Sequence, residues 1–413
     1  KKWEERQQAF DKLYDFSQEN FTGIRVIKAF VKENKEIHAF AKIARKYADV
    51  NVNFVRISVL FDVLIEIIIA LIFALLLGLG GYFAWCSANS IHPFGLNTTL
   101  NAPKLVTFLG YFDTLIWPMI ALGQIVSMFA RCQASSKRIC TFLDAPEDIK
   151  SPENAVVLKD IKGNIEFKNF YFQYPTKDYC NLRNINLSIN AGESVGIVGR
   201  IGCGKSTLAN VLLYMYNLNK GQVFVDGIDI TTVDIDSLRE QIGYVPQDNF
   251  LFSDEIQNNI LFGKEDGTLE DAIDAAKFAA VHENIEEFTD KYQTVSGERG
   301  VTLSGGQKQR ISIARAYVKN APIMIMDDSV SAVDTKTEET ILNNIATLRK
   351  GKTTLVVASR VSTVAKLDKI IVLDEGELEA FGTPEEVEKI SPTYQKMVYL
   401  QKLEAEIEEG GRK

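Results

Sequence analysis

The distribution of apolar and polar residues divides this chain into three kinds of sequence. Residues 1–56 are mostly polar, and their apolar side chains recur at helix-like spacings with one interruption at Thr22-Gly23. Residues 63–85 and 105–130 are apolar stretches with one charged residue each, and each is long enough to form a membrane-spanning helix. From Ile165 onward, short apolar runs alternate with turn residues and helical patterns. We therefore predict a helical membrane region followed by an α/β domain.

Several short apolar runs in the second half of the chain predict buried strands. Runs without polar alternation are typical of strands that are covered on both faces of a sheet. The dipeptide Asp226-Gly227 after one of these runs predicts a tight turn. The predicted strands are 165–172, 185–189, 194–198, 222–225, 323–326, 354–357 and 370–373.

The charges around the two predicted spans indicate their orientation. The connection from Cys86 to Pro103 contains no Lys, Arg, Asp or Glu, whereas basic residues flank the pair of spans on both outer sides. Because basic flanks remain in the cytoplasm, we expect the connection to lie outside. The alternative, two buried helices of a soluble protein, needs a large surrounding domain that the chain does not supply. The basic residues are Lys42, Lys46, Arg56, Arg131, Lys137 and Arg138.

Three carboxylates in the predicted spans are candidates for touching a substrate or lining its path. Asp62 and Glu66 are four residues apart, so they share one helix face, and Asp113 lies in the second span. Charged groups inside a membrane are costly and are functional candidates by default. Asp62 and Glu66 lie near the cytoplasmic end, where simple hydration is the alternative explanation.

Residues 199–206, with the sequence GRIGCGKS, match the phosphate-binding pattern G-x-x-x-x-G-K-[ST] between a predicted strand and a predicted helix. The glycines allow backbone N–H groups to surround phosphate oxygens, and the helix N-terminus adds the positive end of its dipole. We expect Lys205 to reach the β- and γ-phosphates and Ser206 to bind Mg²⁺. The residues predicted to bind ATP here are Gly199, Arg200, Ile201, Gly202, Cys203, Gly204, Lys205, Ser206 and Thr207.

A second anion-binding motif and a carboxylate follow this loop along the chain. The motif opens a helix predicted over 307–318, and a helix N-terminus with a hydroxyl and bare backbone attracts anions. The apolar run 323–326 ends at Asp327, which is the Walker B pattern for Mg²⁺. A domain needs two anion-binding faces only if it binds phosphates with both. The second motif consists of Leu303, Ser304, Gly305, Gly306 and Gln307.

With these three motifs in this order, nearly the whole chain resembles ATP-binding cassette (ABC) transporters, specifically half-transporters of the exporter type. The resemblance implies ATP and Mg²⁺ as cofactors and the cell membrane as the location. It implies an α/β phosphate-loop domain of RecA-like fold, with antiparallel β and α-helical subdomains, after a transmembrane helical domain. It also implies a partner, because two nucleotide-binding domains of this family pair head to tail. Each ATP then lies between one chain's phosphate loop and the other chain's 303–307 motif.

The resemblance also assigns roles to residues outside the three motifs. Tyr174 resembles the aromatic residue that stacks on adenine. Gln247 resembles the Q-loop glutamine, which senses Mg²⁺ and faces the membrane domain. Residues 331–334 resemble the D-loop, which crosses the dimer interface and here ends at Asp334. Residues 297–300 resemble the exporter loop that contacts the coupling helices.

On this resemblance, residues 17–30 correspond to the second intracellular loop, and the two spans are the last two of six. The chain begins with charged helical sequence and no Met, so we expect it to be the C-terminal part of a longer protein. The predicted domains are a partial transmembrane domain (1–143, with loop helices over 1–56 and spans at about 57–85 and 105–130), a linker (144–164), a nucleotide-binding domain (165–400) and a charged tail (401–413).

Two residues depart from the family pattern at the positions that hydrolyse ATP. The family places a catalytic Glu directly after the Walker B Asp, and here that position is Asp328. The Asp side chain is one methylene shorter than Glu, so its carboxylate lies about 1.5 Å further from the attacking water. A misplacement of about 1 Å can lower the rate 10²-fold. The family's switch histidine is replaced by Ser359, which has no titratable group. We therefore predict a poorly hydrolytic site in an asymmetric heterodimer whose partner carries the competent Glu and His.

Composition narrows the remaining alternatives. The formal net charge of −8 disfavours a nucleic-acid partner, and the five cysteines show neither metal-ligand spacing nor a disulfide framework. For Cys203, filling a tight turn is favoured over a redox switch. The leading hypothesis is an exporter of drugs, lipids or peptides. The alternatives are a homodimeric exporter that hydrolyses ATP slowly through Asp328, an importer built on the exporter fold, and a non-transport ATPase, which the two spans disfavour.

Overall fold

The computed structural model describes residues 2–89, 91, 100–177, 179–297, 300, 303–330 and 333–410. The chain divides into two units, Lys1–Ala145 and Pro146–Lys413. The first unit is helical in its described part, and the second combines two β-sheets with ten α-helices among the described residues. The predicted fold class, a helical membrane region followed by an α/β domain, is confirmed.

Four helices form the described part of the first unit. They are α1 (Lys2–Thr22), α2 (Ile24–Ala29), α3 (Glu33–Ala88) and α4 (Ala102–Leu143). Gly23 separates α1 from α2, as the interrupted pattern predicts. Both α3 and α4 contain segments long and apolar enough to span a membrane, with mean hydropathies of 2.9 and 1.6. Since α3 has 56 residues, it is about 84 Å long, and much of it extends beyond a hydrocarbon core of about 30 Å.

The two apolar helices pack closely against each other. The rings of Phe73 on α3 and Phe112 on α4 have centroids 5.8 Å apart in an edge-to-face arrangement. Further along, a Cβ atom at Gly80 would come within 2.4 Å of Leu105 Cδ1, so a larger residue there would require the leucine side chain to move. The helix α4 continues through Pro118 without a break.

One of the three candidate carboxylates in the membrane region lines a groove between α3 and α4. The groove has a volume of about 620 Å³, and Asp62 and Gln124 are its polar side chains. Its other lining residues are apolar apart from Gly123. Glu66 and Asp113 do not line this groove, although Glu66 is on the same helix as Asp62.

The second unit contains a six-stranded and a four-stranded sheet. In the six-stranded sheet the order is β10-β9-β3-β8-β7-β6, and every neighbouring pair is parallel except β10 with β9. The four-stranded sheet has the antiparallel order β2-β1-β4-β5. The strands are β1 (Ile165–Phe172), β2 (Leu182–Ile189), β3 (Ser194–Gly199), β4 (Val223–Val225), β5 (Ile228–Asp229), β6 (Ile242–Val245), β7 (Ile323–Asp327), β8 (Thr353–Val357), β9 (Lys369–Asp374) and β10 (Glu377–Gly382).

Helices cover the six-stranded sheet and connect its parallel strands. The helix α5 directly follows β3 and carries the end of the phosphate-loop sequence, while α10 precedes β7. The helices are α5 (Lys205–Leu212), α6 (Ile235–Glu240), α7 (Ile256–Leu261), α8 (Leu269–Phe278), α9 (His282–Glu286), α10 (Gly305–Val318), α11 (Thr335–Leu348), α12 (Val361–Val364), α13 (Pro384–Ile390) and α14 (Pro392–Gly410). Short 3-10 helices lie at Ile230–Thr232 and Lys291–Gln293.

Two hydrophobic cores lie on opposite faces of the six-stranded sheet, which explains its continuous apolar strands. In β7, Ile323 and Ile325 belong to the core shared with the four-stranded sheet and α5. Met324 and Met326 belong to the other core, shared with α8, α10 and α11. All four side chains are at most 1% exposed. Because successive strand residues point to opposite faces, a strand covered on both sides must be apolar at every position.

The limits of the second unit differ from the predicted domain boundaries. In the predicted linker, Val156 forms a β-bridge with Val233, and Leu158 is 3% exposed. The Asp226 carboxylate accepts a hydrogen bond from the Asn164 N–H at 2.8 Å. Residues 146–164 of the predicted linker are therefore part of the α/β unit. At the other end, α14 runs without interruption through the predicted boundary between residues 400 and 401.

Candidate nucleotide-binding site

The phosphate-loop sequence lies between the carboxyl end of β3 and the N-terminus of α5. Gly202 and Gly204 have φ angles of +84° and +102°, a region that glycine adopts without strain. The Lys205 ammonium group donates hydrogen bonds to the carbonyl oxygens of Gly199 at 2.9 Å and Arg200 at 3.0 Å. The Lys205 side chain therefore lies inside the loop and bonds to its backbone at two residues. Ile201, at the tip, is fully exposed.

The two glycines with positive φ differ in their surroundings, and this difference predicts different costs of substitution. A Cβ at Gly204 would come within 2.6 Å of Leu182 Cδ2, whereas a Cβ at Gly202 would meet nothing within 4 Å. Both alanine variants incur about 1–2 kcal/mol of backbone strain, but only Gly204→Ala must also displace a buried leucine. We expect Gly204→Ala to lower the melting temperature more than Gly202→Ala in thermal unfolding of the purified protein. Equal losses would contradict this account.

Cys203 fills the interior of the loop. Its side chain is 4% exposed, and a Cβ at Gly199 would lie 2.7 Å from its sulfur. Burial raises the pKa of the Cys203 thiol, although Lys205 opposes this effect. A thiol that is buried and more often protonated is a poor nucleophile, so these observations favour the packing interpretation over the redox switch.

Two of the three predicted Mg²⁺ ligands, Ser206 and Asp327, lie together. The Ser206 hydroxyl donates a hydrogen bond to Asp327 Oδ1 at 2.9 Å. Asp327 ends β7 and is 3% exposed, and this burial raises the pKa of its carboxyl group. A hydroxyl and one carboxylate, completed by phosphate oxygens and water, are ligands that suit Mg²⁺. Among the described residues there is no cluster of three or more His, Cys, Asp or Glu that could hold a metal by itself.

Gln247 lies at the same edge of the sheet as Ser206 and Asp327. Among the described residues, no hydrogen bond joins Gln247 to either of them. It comes two residues after β6, which is the parallel neighbour of β7, and its side chain is exposed. Its backbone carbonyl accepts a weak hydrogen bond from Asn249 Nδ2 at 3.4 Å. The assignment of Gln247 to Mg²⁺ therefore stays a prediction.

The two residues that depart from the family pattern are in contact with each other. Ser359 Oγ donates a weak hydrogen bond to Asp328 Oδ1 at 3.4 Å. Asp328 has φ +46°, in the left-handed region that few residues other than glycine adopt. Its N–H donates to the Val357 carbonyl at 3.0 Å, and its own carbonyl accepts from Gln309 Nε2 at 3.2 Å. Both the N–H and the carbonyl of Asp328 are thus held by hydrogen bonds.

Tyr174, the predicted adenine-stacking residue, is half-buried in an aromatic cluster. Its ring meets those of Phe172 and Tyr216 edge to face, with centroids 5.0 and 5.1 Å away. Its hydroxyl forms a hydrogen bond of 2.9 Å with Thr207 Oγ1. This contact connects the aromatic cluster to the helix that follows the phosphate loop.

The second anion-binding motif forms the N-terminus of α10. The Ser304 side chain accepts a hydrogen bond from the Gln307 N–H, and the Gln307 side chain accepts one from the Ser304 N–H, which is a capping box. Leu303 is buried, and Ser304 and Gly305 are exposed, with Gly306 following them in the first turn. The motif therefore presents backbone N–H groups to solvent at a fixed helix end.

Asp334 caps the N-terminus of α11. Its carboxylate accepts hydrogen bonds from the Thr337 N–H at 3.0 Å and hydroxyl at 2.7 Å, which hold the pKa of Asp334 below its usual value. Four other residues of the predicted interface loops lie outside the described residues: Glu298, Arg299, Ser331 and Ala332.

Sequence reasoning missed three residues that support the site. Gln309 is 1% exposed and bonds the Asp328 carbonyl, Tyr216 packs on Tyr174, and Glu338 is 5% exposed beside the segment that follows Ser359. Gln309 comes two residues after the 303–307 motif on the same helix, so its nearness to that motif was an available signal. The other two are brought to the site by tertiary packing, and the local pattern contains no sign of it.

Comparisons with known proteins agree with this geometry. A family model described as "ABC transporter transmembrane region" matches residues 3–119, and one described as "ABC transporter" matches residues 182–331. A probable multidrug resistance ABC transporter ATP-binding/permease protein of Bacillus subtilis is 36% identical over 98% of this chain and 67% of its own length. The chain belongs to the ABC transporter family.

Further relatives identify the type of ABC transporter. A multidrug resistance-like ATP-binding protein of Buchnera aphidicola is 36% identical over 97% of this chain and 67% of its own length. A solved structure of a bacterial Atm1-family ABC exporter with ATP bound has a TM-score of 0.83 and 31% identity, covering 97% of this chain and 68% of that chain. The present chain thus spans about two thirds of the length of these relatives.

This ABC transporter chain is an exporter-type half-transporter, since one chain carries both a transmembrane region and an ABC domain. The second unit is an ATPase domain on the cytoplasmic side of the membrane, and ATP hydrolysis is coupled to transport. The importer alternative is disfavoured because the fold match is to an exporter.

Proposed function

We propose that this chain is the subunit of a heterodimeric ABC exporter that carries the poorly hydrolytic ATP site. The observation that supports this most is the contact between Asp328 and Ser359. The side chain that should polarise the attacking water is short, and the side chain that should contact the γ-phosphate is an uncharged hydroxyl. Both departures fall in one site, at the carboxyl ends of β7 and β8.

The binding groups of this site are complete in our proposal. The phosphate loop from Gly199 to Thr207 would surround the phosphates of ATP, with Tyr174 beside the adenine. Ser206, Asp327 and Gln247 would hold Mg²⁺, which neutralises developing charge on the phosphates when it is bound. The site would therefore bind MgATP firmly and release it slowly, and its contribution would be to hold the two nucleotide-binding domains together.

The 303–307 motif would serve the partner's ATP. In this arrangement the capped N-terminus of α10 faces a second, competent site whose Glu and His belong to the partner half-transporter. ATP binding can favour the closed dimer only if it binds that state more tightly than the open one. Closure would then move the membrane helices and release the substrate outward.

We propose drugs, lipids or peptides as the transported class. The relatives named above include multidrug resistance proteins. In this chain the groove between α3 and α4 is apolar except for Asp62 and Gln124, which would favour an amphiphile with a basic or hydrogen-bonding group.

ATP hydrolysis by the full-length protein in detergent or nanodiscs tests this proposal. The protein is assayed alone and co-expressed with a candidate half-transporter from the same cell. We expect little activity alone, activity with the partner, and loss of that activity when the partner's Glu after its Walker B Asp is changed to Gln. Hydrolysis by this chain alone at a rate comparable to that of the complex would instead support a homodimeric exporter. Uptake measured in inverted vesicles gives the direction of transport.

A further inference from the structure

A buried glutamate connects the helix α11 to the segment that carries Ser359. Glu338 lies one turn into α11, and its side chain is only 7% exposed. Charged side chains are almost never buried to this extent unless they are paired. The partners of this one come from a different part of the chain, immediately after β8.

Two residues following Ser359 contact the two oxygens of Glu338. Thr363 Oγ1 donates a hydrogen bond to Glu338 Oε1, and this threonine is 1% exposed. Arg360 Nη1 lies 3.6 Å from Glu338 Oε2. One carboxylate therefore holds both the first residue after Ser359 and the helix α12 that follows it.

The contacts of Glu338 form one continuous chain of interactions with the site. Glu338 fixes Arg360 and Thr363, and Arg360 is bonded covalently to Ser359, which donates its hydrogen bond to Asp328. At its other end, α11 begins at the capping residue Asp334. A shift of α11 would thus be transmitted to the position of Ser359.

We propose that Glu338 is a positioning residue that sets Ser359 against Asp328 in this chain's own ATP site. The inference rests on the proposed placement of Ser359 and Asp328 in that site. Glu338 touches neither nucleotide nor reacting atoms in this account, and it acts only through residues 359–363.

The chain supplies a matched control for this role. Glu339, the next residue on α11, pairs with Lys366 at 2.6 Å, and both side chains are about half exposed at 58% and 49%. The pair joins α11 to the end of the same segment. Exposed ion pairs contribute little, so Glu339→Gln changes charge in the same way without touching the buried contacts.

The first experiment is hydrogen–deuterium exchange of the full-length protein with MgATP, followed in peptides covering residues 358–365. We expect Glu338→Gln to speed exchange there by about tenfold, because the hydrogen bond from Thr363 loses its charged acceptor and the ion pair with Arg360 is lost. Thr363→Val, which removes the same bond from the other side, should do the same. Glu339→Gln should change exchange less than twofold. Equal effects of Glu338→Gln and Glu339→Gln, or none from either, would overturn the proposal.

The second experiment separates positioning from general stability. Single-turnover ATP hydrolysis is measured for Glu338→Gln with Ser359 present and with Ser359→Ala. With Ser359 present, we expect Glu338→Gln to lower the single-turnover rate constant fivefold to tenfold without changing the ATP concentration that gives half of the maximal rate. With Ser359→Ala, we expect the rate constant to change less than twofold. The same loss in both would indicate a structural role only, and the proposal would be wrong.

If hydrolysis by the native site is too slow to measure, the same single-turnover comparison is made with chains that also carry Asp328→Glu. Silence of those chains as well would count against the proposed function, whereas the exchange result still decides the role of Glu338.

Discussion

A chain that carries both Asp328→Glu and Ser359→His should hydrolyse ATP at its own site roughly 10²-fold faster than the native chain. The glutamate carboxylate reaches further toward the attacking water, and the imidazole supplies a group that can contact the γ-phosphate and carry a proton. Because the backbone of Asp328 is held by Val357 and Gln309, the longer side chain extends from an unchanged position.

Single-turnover hydrolysis of radiolabelled ATP is the measurement, in a complex whose partner carries a Gln in place of its catalytic Glu. In that complex only the site of this chain contributes. Asp328→Asn with Ser359→His is the control, because the amide has the length of the native side chain but cannot act as a base. A double variant no faster than the native chain would show that factors other than these two residues limit the site.

Replacing Lys205 by Met should weaken the binding of MgATP by on the order of 10²-fold, because charge-assisted hydrogen bonds to phosphate are lost. The native ammonium group lies inside the loop, bonded to the carbonyl oxygens of Gly199 and Arg200. Methionine has a neutral side chain of similar length, so this variant removes the charge together with the two hydrogen bonds to the loop. Equilibrium binding of a fluorescent ATP analogue to the purified protein measures this loss.

Arg200→Met is the matched control for this variant, because it removes one positive charge from the same loop. The Arg200 side chain is 58% exposed and lies 3.6 Å from Asp374. Its attraction to phosphate is screened by solvent and shared with that carboxylate. We expect less than a threefold change in affinity. A comparable loss in both variants would mean that net charge, and not the position of Lys205, decides binding.

The pattern of apolar and polar residues correctly predicted the strands and spans whose surroundings are uniform along their length. The strand β1 begins and ends at the predicted residues, and β7 extends the predicted run by one residue to Asp327. Both spans fall within α3 and α4 because a membrane requires apolar side chains on every face of a helix. The meeting of Ser206 with Asp327 was also predictable, since carboxyl ends of parallel strands share one edge of a sheet.

Features that depend on partners distant in sequence were not predictable in this way. The polar segment 144–164 has the composition of a linker, yet its second half is held by Asp226, which lies more than sixty residues later. Glu338 looks like any exposed helix acid in the sequence. Its burial follows from Thr363 and Arg360, which come from beyond the next strand. The composition of a segment does not reveal such pairings.

The length of α3 has a mechanical consequence. This helix has 56 residues, contains no proline and is continuous from Glu33 to Ala88. If it moves as a stiff rod of about 84 Å, a tilt of about 5° at one end displaces the other end by roughly 7 Å. A lever of this length turns small rotations among packed apolar side chains into displacements larger than an atomic contact.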